Sequence, residues 1–388
     1  MTETLLACLT PAGTGAIATL AVRGPAAWAL TGALFRPAHR AGVTASPPAL
    51  PAEPAPGQSW FGQLGKAGPG GADQVIVAVK RGLPEPWLEL HCHGGVQVVR
   101  LLEEAYRSRG VRVCSWQDLE RASQPASFSL LAREFLAQAP TVRVAGILLD
   151  QANGAFAAAV QQIVHALALH DKARAEAVLR LLHRQAKLGR HLVDPWRVVV
   201  AGPTNVGKSS LVNALAGFSR SVVAPAPGTT RDVVTTRLAI DGWPVELADT
   251  AGWRDQADPL EEEGIALARA ALGGADLCLW VLDASAPPVF PEGLPCPAQL
   301  VVNKIDLAPA WEVARACEAV HVSARTGAGI KELCATVSTR LVPHPSIAGE
   351  AVPFTPGLCE RIEQAQRAVA EGDVTKAAVL MSAPESLR

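Results

Sequence analysis

The sequence predicts an α/β domain over residues 195–344, inserted between helical segments at 117–194 and 345–388 and preceded by a small α+β domain at 1–116. Three observations carry this reading. Continuous apolar runs at Arg197–Ala201, Val245–Ala248, Leu277–Leu282, Leu300–Val302 and Ala319–Val322 alternate with helical stretches, the pattern of a parallel sheet covered on both faces. From Gln117 to Leu192, and again after Pro345, apolar residues follow helical spacing. Towards the N-terminus, short apolar segments bounded by Gly and Pro read as strands.

In chain order, GAIATLAVRG reads as a buried strand, and the Pro- and Ala-rich residues 37–57 as an irregular loop. WFGQLG, Val75–Val79 and WLELHCHGG follow as strands, closed by a helix over Val96–Arg107. AFAAAVQQIVHALALH and ARAEAVLRLLHRQAKLGRHL are helices, and Pro195 marks a boundary. No internal repeat is evident.

Composition excludes several classes. With 388 residues and a formal net charge of −1, overall charge gives no argument for nucleic-acid binding. The eight cysteines form no C-x-x-C pair, so neither a disulfide framework nor a zinc site is indicated, and a reducing cytoplasm fits. MTETLLACLT lacks the basic and apolar regions of a secretory leader, and no apolar run has the ~20 residues of a membrane span. His91 and His93 share a strand face without a third ligand at suitable spacing, so they and Cys92 read as packing beside Gly94-Gly95.

The chemistry lies in the α/β region. The strand RVVVAG enters Gly202-Pro203-Thr204-Asn205-Val206-Gly207-Lys208-Ser209 and then the helix-like SSLVNAL. This is G-x-x-x-x-G-K-[ST] in its strand–loop–helix context, in which backbone amides from Asn205 to Ser210 wrap phosphates at a helix N-terminus. Lys208 would reach the β- and γ-phosphates and the Ser209 hydroxyl would ligate Mg2+. Asp249-Thr250-Ala251-Gly252 follows the strand PVELA, placing a carboxylate near Mg2+ and a glycine amide near the γ-phosphate. In the intervening PGTTRD loop, Thr229 and Thr230 form a switch, with Thr230 completing the Mg2+ shell. Asn303-Lys304-Ile305-Asp306 follows QLVV. Its Asp306 carboxylate can pair with guanine N1–H and the exocyclic amine, a pair of donors adenine lacks, while Lys304 lies along the base. Ser323-Ala324 fits the loop at guanine O6. Four motifs in this order predict an α/β P-loop GTPase with a Ras-like G domain. Where Ras-type proteins carry a water-orienting glutamine, this chain has Trp253, and an acidic stretch containing Asp255, Asp258 and Glu261–Glu263 follows.

GPTNVGKSSLVNAL, PGTTRDVV, DTAGWR and the N-terminal LELHCHGG together resemble the tRNA modification GTPase family MnmE (TrmE), most closely over 196–341. The resemblance implies that the 1–116 domain binds folate and dimerises, and that the G domains are K+-activated through Asn205. It further implies that Glu261, twelve residues after Asp249, orients the water alongside catalytic Lys208. It implies a cytoplasmic homodimer acting on the wobble uridine of tRNA with the flavoprotein MnmG, and no membrane partner. Three departures stand out. The chain closes on MSAPESLR where the family has C-x-G-K, the helical segment before the G domain is short, and the family's folate segment reads Trp116-Gln117-Asp118-Leu119-Glu120-Arg121-Ala122. They lead to the expectation that this chain alone does not restore wobble-uridine modification. The alternative is a paralogous regulatory or ribosome-assembly GTPase. An Era- or Der-type protein fits less well, because there is one P-loop and no G-x-x-G loop in the tail.

Overall fold

The computed structural model describes residues 3–11, 13, 15–38, 50–65, 71–123, 126–218, 235–249 and 273–382. The chain divides into two compact units, Met1–Ala126 and Ser127–Arg388.

In the first unit, strands β1 (Leu5–Cys8), β2 (Ile17–Arg23), β3 (Phe35–Pro37), β4 (Ser59–Gly65), β5 (Ala72–Arg81), β6 (Trp87–His93) and β7 (Arg112–Val113) form one sheet in the order β3-β4-β5-β6-β2-β1-β7. Neighbours are antiparallel except β1 and β7. Side chains alternate across the strands, so Leu88, Leu90 and Cys92 of β6 join Val75, Val77 and Val79 of β5 in one core. Helices α1 (Ala27–Leu34) and α2 (Val96–Arg107) cover that face, and Thr31 Oγ1 meets the buried Tyr106 hydroxyl at 2.7 Å. Gly94 follows β6 where a Cβ would fall 2.1 Å from the Gly15 carbonyl oxygen, so the turn excludes any side chain there.

The opposite face carries α3 (Trp116–Ser123), whose Leu119 is buried with Leu5, Ala7 and Ala21. This corrects the boundary expected at 116/117. Residues 116–123 read as helix, and a helical period does not reveal which core the helix joins; Leu119 joins the first unit, which extends to Ala126.

The second unit opens with α4 (Phe128–Leu136), α5 (Val142–Ala152), α6 (Ala155–Ala168), α7 (Lys172–Arg184) and α8 (Ala186–Arg190). The stretch expected as one helix, ARAEAVLRLLHRQAKLGRHL, thus breaks at Gln185. The sheet that follows contains β8 (Trp196–Ala201), β9 (Thr235–Ile240), β10 (Trp243–Asp249), β11 (Leu277–Asp283), β12 (Ala298–Asn303) and β13 (Val320–His321), in the order β13-β12-β11-β8-β10-β9. It is parallel except for β9, which pairs antiparallel with β10 through the Asp241-Gly242 turn. Both turn residues have positive φ (50° and 79°), as a tight hairpin requires. The all-parallel expectation missed β9 because Thr235–Arg237 are not buried and the strand gives no continuous apolar run.

Helices Pro356–Glu371 and Val374–Ser382 return to pack on α6, α7 and α8. Gln151 ties the junction: its Nε2 donates to the Glu350 carbonyl at 3.0 Å, and its Oε1 accepts from Val352 N at 3.1 Å. Arg190 pairs with Glu363 at 2.6 Å. Gly189 lies so close to Pro353 that a Cβ would sit 1.7 Å from the Pro353 carbonyl oxygen. One continuous core runs from Phe128 and Phe156 through Trp196 and Leu211 to Phe354 and Ile362. No helix among the described residues is long and apolar enough to cross a membrane.

Candidate functional site

The loop Gly202–Gly207 joins the C-terminal end of β8 to the N-terminus of α9 (Lys208–Phe218). Strands on both sides of β8 run parallel to it, so the loop opens at the switch point of the sheet, where α/β folds bind ligands. Its backbone is unusual at three points. Gly202, Asn205 and Gly207 have φ of 140°, 61° and 93°, a region open to glycine and tolerated by asparagine. Gly207 is also required sterically, because a Cβ there would lie 2.5 Å from Asn303 Nδ2. Val206 is buried, while Asn205, Ser209 and Ser210 are exposed.

Lys208 is 7% exposed, and its Nζ donates to the carbonyls of Gly202 (3.0 Å) and Pro203 (2.8 Å). Ser209 Oγ donates to Asp249 Oδ2 at 2.6 Å. Asp249 ends β10, one strand over from β8, so the sheet register brings this hydroxyl and carboxylate together. Two hard oxygen donors at that spacing suit Mg2+. Among the described residues no cluster of three or more His, Cys, Asp or Glu side chains forms a metal site, so any ion here would draw on hydroxyl and phosphate oxygens as well.

Asn303 closes the loops onto one another. Its Nδ2 donates to the Val206 carbonyl at 2.9 Å, and its Oδ1 accepts from Ala324 N at 3.0 Å. Lys304 has φ of 64°, and its Nζ reaches both the Asn205 carbonyl and Asp283 Oδ2 at 2.6 Å. Asp306 accepts from Ser323 Oγ at 2.5 Å and from Arg325 Nε and Nη2 at 2.9 and 2.7 Å. The Ser323 hydroxyl and then Arg325 hold its carboxyl below the usual range. Asn205, Val206, Gly207, Lys208, Ser209, Asp249, Asn303, Lys304, Asp306, Ser323 and Ala324 are therefore joined at one end of the sheet. Ser210 lies on the adjoining turn of α9. Thr229, Thr230, Thr250, Ala251, Gly252 and Glu261 lie outside the described residues.

A family model described as 50S ribosome-binding GTPase matches residues 197–304. The tRNA modification GTPase MnmE of Alkalilimnicola ehrlichii is 34% identical over 370 residues, covering 85% of this chain and 80% of that protein. This chain belongs to the tRNA modification GTPase MnmE family. The MnmE of Symbiobacterium thermophilum, also 34% identical, spans 87% of the chain and 82% of its own length. Among solved structures, the G domain of the T. maritima FeoB iron transporter is 25% identical over 38% of this chain and 97% of that one, with a TM-score of 0.27. As a member of the MnmE family with a P-loop G domain, the chain is a GTPase.

Away from the P-loop, the histidines resembling the MnmE signature have separate partners. His91 Nδ1 meets Thr19 Oγ1 at 3.0 Å, and His93 Nδ1 meets Asp73 Oδ1 at 2.7 Å. Between them Cys92 is buried, and burial pushes its thiol up to about 11.

Two site residues escaped the sequence reading. Arg325 directly follows Ser323-Ala324, and Asp283 caps β11 as an acidic residue at the C-terminal end of a parallel strand. That strand-end position was the available signal. Burial pushes the Asp283 carboxyl up, but hydrogen bonds from Lys304 and Ser285 outweigh it and hold the group below its usual range. A carboxyl lowered in the folded state adds stability above its unfolded value, about 3.9 for Asp, and loses it as pH falls through the folded value. Asp283→Asn is therefore expected to lower the thermal midpoint at neutral pH, with wild type and variant converging as pH falls through the lowered folded value. A gap that persists undiminished in acid would show that the Lys304 pair is not its source.

Proposed function

We propose that the chain binds GTP through Asn205, Val206, Gly207, Lys208, Ser209, Ser210, Thr229, Thr230, Asp249, Thr250, Ala251, Gly252, Asn303, Lys304, Asp306, Ser323 and Ala324. The observation that carries this is the Asn303 carboxamide bridging the phosphate loop and the Ser323-Ala324 loop, which couples the base end of the site to its phosphate end. Lys208 swings from the Gly202 and Pro203 carbonyls to the β- and γ-phosphates. Ser209 and Thr230 would hold Mg2+, which would supply charge neutralisation on the phosphate oxygens. Asn205 would ligate K+, and Glu261 orients the attacking water in place of the glutamine that Trp253 replaces. The domains act as a first unit that extends to Ala126, helical segments from Ser127 to residue 194 and at 345–388, and a G domain at 195–344.

At the level of the cell, membership of the MnmE family supports a cytoplasmic homodimer that works with tRNA and the MnmG flavoprotein, with a folate as one-carbon donor. Its 85% coverage by a MnmE relative favours this reading over a ribosome-assembly role, since the 50S ribosome-binding GTPase model matches the G-domain segment alone.

Asp306→Asn is expected to weaken GTP and favour xanthosine triphosphate, because the amide offers a donor where xanthine carries an oxygen. Unchanged GTP affinity by titration would overturn the assignment. Hydrolysis is expected to run faster in K+ than in Na+ at high protein concentration, with Asn205→Ala removing the difference. Glu261→Ala should lower kcat with little change in GTP binding, the mark of a group acting in the transition state. Deleting the gene in its own host, where its partners are present, should deplete the modified wobble uridine, read by mass spectrometry of tRNA nucleosides, whereas the chain alone is expected not to restore it in another cell lacking its own MnmE. Unchanged nucleosides would favour the regulatory alternative.

A further inference from the structure

We propose that Arg325 is an intramolecular competitor for the base-recognition carboxylate, so that nucleotide entry requires its side chain to leave Asp306. The inference rests on the reading of Asp306 as the guanine-binding group. Nε and Nη2 of Arg325 both donate to Asp306 Oδ2, at 2.9 and 2.7 Å, while Ser323 Oγ occupies Oδ1. The chemistry of the two donors matches. Guanine presents N1–H and the exocyclic N–H across one carbon, which is itself a guanidine edge, and Arg325 presents Nε–H and Nη2–H across Cζ. A carboxylate arranged to select one edge also accepts the other.

The surrounding loop makes Arg325 a movable plug rather than part of the frame. Ser323 N donates to the Ala328 carbonyl and Gly327 N to the Ser323 carbonyl, both at 2.9 Å, and Ala324 N is held by Asn303 Oδ1. Gly329 has φ of 72°, and a Cβ there would lie 2.0 Å from the His321 carbonyl oxygen, so the turn has little room to shift. The Arg325 side chain, by contrast, is 74% exposed, against 14% for Asp306. Rotation of the arginine into solvent frees Oδ2 without disturbing the backbone. An ion pair with one partner so exposed is weak and salt-sensitive, which suits a contact that must open at each nucleotide exchange. The apparent affinity of the site is then its intrinsic affinity scaled by the fraction of molecules in which Asp306 is free.

The test is stopped-flow binding of a fluorescent GDP to the full chain. Arg325→Ala is expected to speed association and tighten binding about two- to fivefold at low ionic strength, leaving dissociation unchanged. The gain should shrink as salt rises, and Arg325→Lys, which keeps the charge but loses the paired donors, should fall between. Weaker binding or an unchanged association rate would overturn the proposal and make Arg325 a positioning residue. Asp306→Asn separates this from the underlying reading. A switch towards xanthosine nucleotides upholds Asp306 as the base ligand, so a null result at Arg325 would then remove only the competition. No switch would overturn both. In the Asp306→Asn background, Arg325→Ala should leave xanthosine diphosphate association unchanged, because the neutral amide no longer holds the guanidinium; an equal gain there would also overturn the competition.

Discussion

The Asn303 carboxamide is the constraint around which the site is arranged. It is 1% exposed, and its two ends bind different loops: Nδ2 to the Val206 carbonyl and Oδ1 to the Ala324 amide. A buried amide left without one of these partners would cost about 1–3 kcal/mol, so the phosphate loop and the Ser323-Ala324 loop are placed together or not at all. The close approach also explains Gly207, whose missing Cβ makes room for Asn303 Nδ2. Lys304, the next residue, repeats the tie through the Asn205 carbonyl and Asp283. Its left-handed backbone is a local strain held by these two contacts.

A second set of contacts fixes the sheet to the surrounding helices. The Asp241-Gly242 turn between β9 and β10 meets the start of α5: Thr141 Oγ1 donates to the Gly242 carbonyl at 2.6 Å, and Arg143 pairs with Asp241 at 3.0 Å. Ser338 donates to the same Asp241 carboxylate from the helix Ile330–Leu341. Arg143 also lies over the buried Trp243 ring at 4.9 Å. At the same end of the sheet, where Val245 of β10 pairs with Trp196 of β8, His191 stacks on Trp196 at 3.8 Å and meets Asp276 at 3.3 Å. The helical segments therefore grip the start of β8 and the β9–β10 turn, and leave the P-loop end of the sheet to the ligand-binding loops. Because β10 carries Asp249 at its far end, the strand spans from the gripped turn to the carboxylate that Ser209 contacts.

Much of this was legible in the residues. The five apolar runs became β8, β10, β11, β12 and β13, because strands buried on both faces need unbroken apolar sequence. The P-loop and Asn303-Lys304-Ile305-Asp306 were legible because phosphate and guanine impose fixed residue types at fixed spacing within a short segment. β9 was not legible, since its outer half, Thr235–Arg237, is polar and not buried and gives no apolar signal. The helix at Trp116–Ser123 was legible as a helix but not as part of the first unit. Its single buried residue, Leu119, has no feature in sequence that chooses between two cores.

By itself the sequence determined the fold class, the family and the motifs proposed to meet phosphate and base, all properties of local patterns and short motifs. Tertiary structure alone decided which motif touches which: Asn303 to Val206, Ser209 to Asp249, Lys304 to Asp283, and Arg325 to Asp306. These pairs join separate loops whose approach is set by strand order and register, and no spacing along the chain encodes them. The same holds for the helices Pro356–Glu371 and Val374–Ser382, which return to α6 and α7 after the whole G domain intervenes. Their amphipathic faces show that they must be covered, but the covering partner is fixed by burial of Phe354, Leu358 and Ile362 in a core shared with residues some two hundred positions earlier, such as Phe156.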